Sequence, residues 1–272
     1  MFRTSHYYHQ DEDSDYSDDD LPSMPVLDND YSSEEDECTT APPEEEKKPI
    51  VPKRRSNKKS MEDIQFKIPG HTLICGSTGS GKTCILRYYM KLNRKKFKRV
   101  YAIAGASEFN NDYDFLKPEC ILNPQDDFLL QRLGLIVKAQ EKLIKSGYKS
   151  HLCLIFDDII SLLNTYSGPQ GKLILFLVTQ GRHRNIQIIF LTQRISKLSP
   201  TIRDNCMYWI VSKVPRNSIM DYCMDYQTKY TNKFKFWDAY KNNTKERYSS
   251  MLLQQVDPYQ DSIIWLNPVP LC

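Results

Sequence analysis

Residues 76–83 read Gly-Ser-Thr-Gly-Ser-Gly-Lys-Thr, a full match to the pattern G-x-x-x-x-G-K-[ST]. The apolar run at 72–75 enters this stretch as a strand would, and residues 84–90 leave it with helical spacing. Glycines allow successive backbone N–H groups to face phosphates, and a lysine and a hydroxyl at these positions serve the terminal phosphates and Mg²⁺. A glycine-rich turn that binds nothing is the alternative. We predict a nucleoside-triphosphate site formed by Gly76, Ser77, Thr78, Gly79, Ser80, Gly81, Lys82 and Thr83.

The rest of the chain alternates apolar runs with helical patterns. The clearest helical pattern spans 126–146, where one face stays largely apolar until Gly147. Strand-like runs bounded by turn signals lie at 72–75, 99–104, 152–156, 186–192 and 207–212. This order predicts an α/β fold with a mainly parallel sheet and right-handed crossovers, over one domain at 61–272.

Two adjacent acids, Asp157 and Asp158, follow the apolar run at 152–156. A buried parallel strand delivers the residues at its end to the carboxyl edge of the sheet, where ligands of open α/β sheets bind. We predict that Asp157 holds Mg²⁺ together with Thr83, and that Asp158 orients or deprotonates the attacking water. The alternative is that the two acids cap the next helix.

Gln193 ends the strand predicted at 186–192. The strand that enters the P-loop is the Walker A strand, and the strand that ends in the two acids is the Walker B strand. Along the chain, the strand at 99–104 is an additional strand between these two. In P-loop ATPases with such a strand, the later strand inserts between the two motif strands, unlike the arrangement of kinases and GTPases. We therefore predict a RecA-like P-loop NTPase in which Gln193 lies beside the γ-phosphate.

These motifs together resemble the FtsK/HerA superfamily of DNA-translocating ATPases. Within it they are most similar to the poxvirus-type genome-packaging ATPases of large DNA viruses, virophages and Polinton-like elements. The resemblance covers about residues 70–225 and is most specific from Gly181 to Val211. The segments that carry it are GSTGSGKT, LIFDD, QGRHRNIQIIFLTQR and TIRDNCMYWIVSKV.

The resemblance implies a homo-oligomeric ring, a pentamer or hexamer, with its active sites between subunits. It implies the hydrolysis of ATP with Mg²⁺ to pump double-stranded DNA, a viral genome, into a capsid, with capsid or portal-like proteins as partners. Arg182 matches the family position proposed for an arginine finger, and Arg184 and Arg203 are the alternatives. Arg182 could also be a solvated charge at a helix end.

Rival functions remain open at this point. One is a helicase or another nucleic-acid remodelling ATPase of the same fold, and another is a nucleotide-dependent scaffold with little turnover. A nucleoside kinase is a weaker candidate. A GTPase is disfavoured because the chain contains no Asn-Lys-x-Asp motif.

Charge divides the chain into two parts. Residues 1–46 contain 16 acidic residues and one basic residue, Arg3, a net charge of −15. Subtracting these from the totals of 34 acidic and 37 basic residues leaves 18 and 36, a net charge of +18, in 47–272. We predict that 1–46 is an acidic disordered tail, because it contains too little apolar surface to offset chain entropy. The positive charge of 47–272, which we call the body of the chain, suits binding to the phosphate backbone of a nucleic acid.

Residues 47–60 form a basic linker rich in Lys and Arg. It could be a nuclear-import signal, a contact for nucleic acid or for the tail, or a plain solvated linker. No run approaches 18 apolar residues and no apolar segment follows Met1, so we expect no membrane span and no secretory signal. We expect a soluble intracellular protein, at the host nucleus, the viral assembly site or the virion. The eight cysteines form no C-x-x-C pair, which predicts reduced core residues without a zinc site.

Overall fold

An eight-stranded mixed sheet forms the centre of the molecule, for which we analysed a computed structural model. The structure describes residues 58–105, 111–158, 168–224, 226–227, 229–255 and 262–270. The predicted acidic tail and most of the basic linker lie outside these residues. The strands are β1 (Thr72–Cys75), β2 (Arg99–Ala104), β3 (Ile121–Leu122), β4 (Leu152–Asp157), β5 (Ile186–Thr192), β6 (Tyr208–Val211), β7 (Ser250–Gln254) and β8 (Ile263–Leu266).

The strands lie in the order β3-β2-β4-β5-β1-β6-β7-β8. The first six are parallel, and β7 runs antiparallel to both β6 and β8. Ile189 of β5 pairs with Thr72 of β1 on one side and with Ile155 of β4 on the other. The predicted insertion of β5 between the two motif strands is therefore confirmed. The additional strand β2 lies between β1 and β4 along the chain and at the far side of β4 in the sheet.

Five helices of six or more residues connect the strands within the described residues. They are α1 (Lys82–Asn93), α2 (Leu129–Lys145), α3 (Gly168–Gln180), α4 (Pro200–Asn205) and α5 (Lys233–Asn243). The predicted helix at 126–146 begins three residues late, because the Asp126 side chain accepts a hydrogen bond from the Phe128 amide and forms a turn there. Gly147, with φ of +84°, ends α2 as predicted. No helix in the described part of the chain is long and apolar enough to cross a bilayer.

Two hydrophobic clusters cover the two faces of the sheet. Leu73 and Cys75 of β1 belong to one cluster and Ile74 to the other, as the alternation of side chains along a strand requires. The first cluster includes α2 and α3, and the second includes α1 and the segment around Met61. All seven residues of β5 are buried, which is typical of a parallel strand covered on both faces. Four of the six described cysteines are buried free thiols.

His71 lies fully buried at the start of β1. Its Nε2 lies 3.1 Å from the Val178 carbonyl oxygen, and its Nδ1 lies 3.0 Å from the Ile188 amide. Since the carbonyl can only accept and the amide can only donate, Nε2 carries the proton and the ring is neutral. Burial, and secondarily the charge of Arg182, lower the pKa of His71 from 6.5 to about 4.

This depressed pKa predicts a loss of stability in mild acid. The unfolded chain gains a proton on His71 below pH 6.5, whereas the folded protein gains it only near pH 4. Stability is therefore complete above pH 6.5 and falls as the pH decreases toward 4. We expect the His71 contribution to the free energy of unfolding, measured by urea titration, to fall by about 2 kcal/mol between pH 7 and pH 5.

The matched comparison is His71→Gln against His183→Gln, since His183 is exposed. The change between pH 7 and pH 5 should shrink in the first variant and persist in the second. The same pH dependence in both variants would contradict the assignment.

Candidate nucleotide site

The loop between β1 and α1 has the conformation that its glycines permit. Gly79 and Gly81 have φ values of +72° and +93°, which residues other than glycine rarely adopt. Gly76 is required for space, since a Cβ there would lie 2.0 Å from Ser212 Oγ and 2.2 Å from Ser80 Oγ. The loop therefore depends on glycine at three positions.

The strands on either side of β1 hold the loop at its start. The Gly76 amide donates to the Thr192 carbonyl at the end of β5, at 3.1 Å. The Ser77 amide donates to the Lys213 carbonyl just after β6, at 2.8 Å. Ser212 adds a side-chain contact, with its Oγ 2.9 Å from Ser80 Oγ. These contacts fix the loop at the carboxyl edge of the sheet.

Helix α1 begins at Lys82, directly after the loop. Its first amides have no intrahelical acceptors and carry the positive end of the helix dipole, so this end suits phosphate groups. Lys82 Nζ lies 3.0 Å from the Gly76 carbonyl oxygen, over the loop. Thr83 occupies the next position, half-buried at the same end of the helix. The predicted lysine and hydroxyl thus lie together at this anion-binding end.

Asp157 is the last residue of β4 and is half-buried. Its Oδ2 accepts a hydrogen bond of 2.7 Å from the hydroxyl of Tyr113, a buried residue in the connection between β2 and β3. Burial raises the pKa of Asp157, while the Tyr113 hydrogen bond and the charge of Lys82 oppose that rise. Burial also raises the pKa of Tyr113. Tyr113 was not predicted, because nothing in the sequence distinguishes it among 17 tyrosines.

Asp158 and Gln193 meet at the ends of neighbouring strands. Asp158 has a φ of +51°, and its amide donates to the Leu191 carbonyl at 3.1 Å. Its Oδ2 accepts a hydrogen bond of 2.5 Å from Gln193 Nε2. Gln193 Oε1 in turn accepts a hydrogen bond of 3.1 Å from Thr78 Oγ1. A continuous path of hydrogen bonds thus joins the P-loop, Gln193 and the second acid.

The donor set at this edge fits Mg²⁺. This ion prefers oxygen ligands and, with nucleotides, takes one or two from the protein and the rest from phosphates and water. Thr83 and Asp157 could supply those protein oxygens. Tyr113 bonds to Oδ2 of Asp157, and no hydrogen bond between described residues engages Oδ1. The described residues form no group of three or more His, Cys, Asp or Glu side chains suited to a metal, and a magnesium–nucleotide site needs none.

The three candidate arginines lie at the opposite edge of the sheet. Arg182 and Arg184 belong to the turn Gly181–Arg184, before β5, and Arg203 belongs to α4, before β6. Because β5 has seven residues, Arg182 lies roughly 20 Å from the P-loop edge. The structure therefore brings Lys82, Asp158 and Gln193 together within one chain and does not bring Arg182 to them.

The three arginines also differ in their contacts. Arg184 Nε pairs with Glu141 Oε1 at 2.6 Å, and its guanidinium lies 4.4 Å from the centroid of the Phe176 ring. Arg203 donates to the Leu198 carbonyl and lies over the Tyr222 ring. None of the ion pairs between described residues involves Arg182. Arg182 is therefore the least engaged of the three.

Comparison with known proteins places the chain in a family. The model of the family described as Poxvirus A32 protein matches residues 53–256, which is three quarters of the chain. The chain belongs to the poxvirus A32 protein family. The predicted resemblance to poxvirus-type packaging ATPases is confirmed to this extent.

Similar proteins occur in two virus groups. The chain is 30% identical over 145 residues to the DNA packaging protein OPG160 of Variola virus, covering 50% of each. It is 25% identical over 154 residues to an uncharacterized protein, 015R, of Frog virus 3, covering 56% of this chain and 45% of that protein. The chain spans about half the length of these relatives.

A solved structure shares the fold. EssC (ATPases 2 and 3) from Geobacillus thermodenitrificans matches with a TM-score of 0.53 and 11% identity, over 74% of this chain and 40% of that one. At this identity the likeness shows only the fold.

The contact between Tyr113 and Asp157 yields a prediction about metal dependence. Tyr113→Phe keeps the buried ring and removes the hydroxyl that orients the carboxylate. We expect the affinity for ATP with Mg²⁺ to fall about tenfold, as for a lost hydrogen bond to a charged group. Affinity for ATP in EDTA should be unchanged. Calorimetry with and without Mg²⁺ measures both.

The matched control is Tyr148→Phe, because Tyr148 is 64% exposed and precedes the start of β4, at the end of the strand opposite the acids. It should bind like the unmodified protein under both conditions. If Tyr113→Phe weakened ATP binding equally with and without Mg²⁺, the hydroxyl would not act through Asp157.

Proposed function

We propose that this protein hydrolyses ATP and uses the energy to move double-stranded DNA during viral genome packaging. The observation that carries the proposal is the hydrogen-bonded path from Thr78 through Gln193 to Asp158, which couples the phosphate-binding loop to a carboxylate suited to water activation. Membership of the poxvirus A32 protein family supports the packaging role, as does the name of the Variola virus relative.

Each residue of the site has a distinct role in the proposed hydrolysis. Lys82 binds the β- and γ-phosphates, and Thr83 and Asp157 hold Mg²⁺. When bound, this ion neutralises charge that develops on the phosphates. Asp158 accepts a proton from the attacking water or orients it, and Gln193 contacts both that water and the γ-phosphate.

Arg182 acts on a neighbouring subunit in this proposal. Its distance of roughly 20 Å from the P-loop edge of its own subunit rules out a direct contact there. A half-buried guanidinium without an ion pair among the described residues is available to a partner. We propose a ring, pentameric or hexameric, in which Arg182 reaches the γ-phosphate held by the next subunit.

The charge of the body supports DNA as the substrate. The net charge of +18 in residues 47–272 attracts a phosphate backbone without reading sequence, as a translocating motor requires. Basic residues are dense from the middle of α1 to the start of β2, at Arg87, Lys91, Arg94, Lys95, Lys96, Lys98 and Arg99. Capsid or portal-like proteins would be the partners at the host nucleus or the viral assembly site.

A helicase is the second candidate, because a helicase would use the same site and the same basic surface. A nucleotide-dependent scaffold is the third. Duplex DNA that carries a bound third strand separates the candidates. A pump displaces the third strand and leaves the duplex intact, a helicase separates the duplex, and a scaffold does neither.

The site residues predict how variants behave in that assay. Lys82→Ala should lose ATP binding, and therefore also hydrolysis and displacement of the third strand. Asp158→Asn should bind ATP normally and hydrolyse it at least about a hundredfold more slowly, because the amide cannot accept the proton. Turnover is measured by phosphate release with duplex DNA present.

Asp127→Asn, which changes an exposed acid two residues before α2 that has no role in the proposed site, is the matched control and should retain activity. Near-normal turnover in Asp158→Asn would remove this residue from the catalytic site. Duplex separation, or no DNA-dependent turnover in the unmodified protein, would contradict the pump.

Arg182 yields a separate prediction about the ring. Arg182→Ala should bind ATP normally and hydrolyse it about a thousandfold more slowly, as for a lost arginine finger. Mixing it with Asp158→Asn should restore part of the activity, because some sites then combine an intact Asp158 with an intact Arg182 from the neighbour. Phosphate release from mixed rings measures this recovery.

The control mixture combines Arg182→Ala with the double variant Arg182→Ala, Asp158→Asn. No site in that mixture contains an intact Arg182, so activity should stay at the level of Arg182→Ala alone. Mixed rings that form, by native mass spectrometry, without any recovery in the first mixture would argue against action between subunits.

A further inference from the structure

Tyr248 lies against the phosphate-binding loop, although it is remote from every motif in the sequence. It precedes β7, which runs antiparallel to β6, so the start of β7 lies at the same sheet edge as the end of β6. That edge carries the P-loop. A Cβ at Gly81 would lie 2.2 Å from Tyr248 Cδ1, 2.7 Å from Cε1 and 3.5 Å from Cγ. The ring therefore borders the residue at which the loop becomes α1.

These three distances define the orientation of the ring. The distance to Cγ exceeds the distance to Cδ1 by 1.3 Å, which is nearly a full carbon–carbon bond. Such a difference requires the Cβ position at Gly81 to lie in the plane of the ring, because a position above the plane would make its distances to the ring atoms more equal. Tyr248 thus turns its edge to Gly81, and its two faces point elsewhere.

The fold imposes this position on the ring. Tyr248 has a φ of +65°, a left-handed conformation that is unfavourable for a bulky side chain. The surrounding backbone maintains it, since the Tyr248 carbonyl accepts from the Val269 amide at 3.3 Å and the next residue, Ser249, bonds through its Oγ to the Glu246 carbonyl at 2.7 Å. Strained residues of this kind cluster at ligand sites.

One face of the ring is covered by a cation. The Arg247 guanidinium carbon lies 4.9 Å from the ring centroid. A base inserted between the two groups would need about 3.5 Å on each side, or roughly 7 Å in total. The gap is too small, so a flat ligand has to use the opposite face of Tyr248, a half-buried side chain that also packs against the second hydrophobic cluster.

We propose that this opposite face is the base subsite of the bound nucleotide, on which the purine ring stacks. The inference rests on the proposed binding of a nucleoside triphosphate at the P-loop. The loop amides near Gly81 hold the α- and β-phosphates, so the ribose and base continue outward from this point. Arg247 strengthens the stack from behind, because a cation over an aromatic ring fixes its orientation.

Stacking reads the face of a base and not its hydrogen-bonding edge. The larger π surface of a purine binds more strongly than that of a pyrimidine. The subsite therefore favours ATP over CTP. It contributes nothing to the binding of inorganic tripolyphosphate, which has no base.

The decisive experiment compares ATP with tripolyphosphate by calorimetry, using the full chain. Tyr248→Leu keeps an apolar contact and removes the π face. We expect its affinity for ATP to fall about tenfold, while its affinity for tripolyphosphate stays within about twofold of the unmodified protein. Tyr248→Phe should retain ATP binding, and Tyr148→Leu, at an exposed tyrosine, should change neither.

The outcomes separate the base subsite from the proposed function. An equal loss of ATP and tripolyphosphate in Tyr248→Leu would mean that the ring only shapes the loop, and no loss of either would also overturn the subsite. Failure of the unmodified protein to bind either ligand would instead overturn nucleotide binding itself.

A second measurement needs no variant and so does not depend on the folding of Tyr248→Leu. Photolysis of 8-azido-ATP on the unmodified protein, followed by trypsin and mass spectrometry, should label the peptide that begins at Tyr248. Excess ATP should prevent the labelling. Label confined to other peptides would overturn the inference.

Discussion

The pairing of β5 with β1 on one side and β4 on the other is the constraint on which the site depends. Ile189 is in register with Thr72 and with Ile155, so the three strands end at the same level. The loop after β1, the acids after β4 and Gln193 after β5 consequently meet at one edge. A slip of one residue in either pairing would turn the buried side chains of β5 to the wrong faces, so the two hydrophobic clusters maintain the register of the site.

The same pairing separates the two ends of β5. Gln193 follows the strand at the P-loop edge, and Arg182 precedes it at the other edge, roughly 20 Å away. A rigid, fully buried strand cannot shorten that distance. If both residues serve one reaction, they must serve it in different subunits, and the sheet then becomes the element that connects one site to the next.

Much of this arrangement could be predicted from local patterns. The loop at 76–83 follows a motif of fixed spacing. Parallel central strands are apolar throughout, so the sequence predicts the strand at 186–192 and the apolar strand that ends in the two acids. Strands β3, β7 and β8 were not predicted, since β3 has only two residues and the other two lie beyond residue 225, where the resemblance ends. Tyr113 could not be predicted at all, because long-range packing alone brings it to Asp157.

Tyr248, like Tyr113, could not be predicted from the sequence, and the reason is physical. The sequence motif specifies how phosphates are held, because backbone amides and a lysine must follow one another at set spacing. Recognition of a base needs only a flat apolar surface near the end of the phosphate chain, and any element that reaches the sheet edge can supply one. Here the antiparallel extension of the sheet supplies it, since β7 must begin beside the end of β6. The strands added at the edge thus complete a ligand site whose phosphate half is formed by the parallel core.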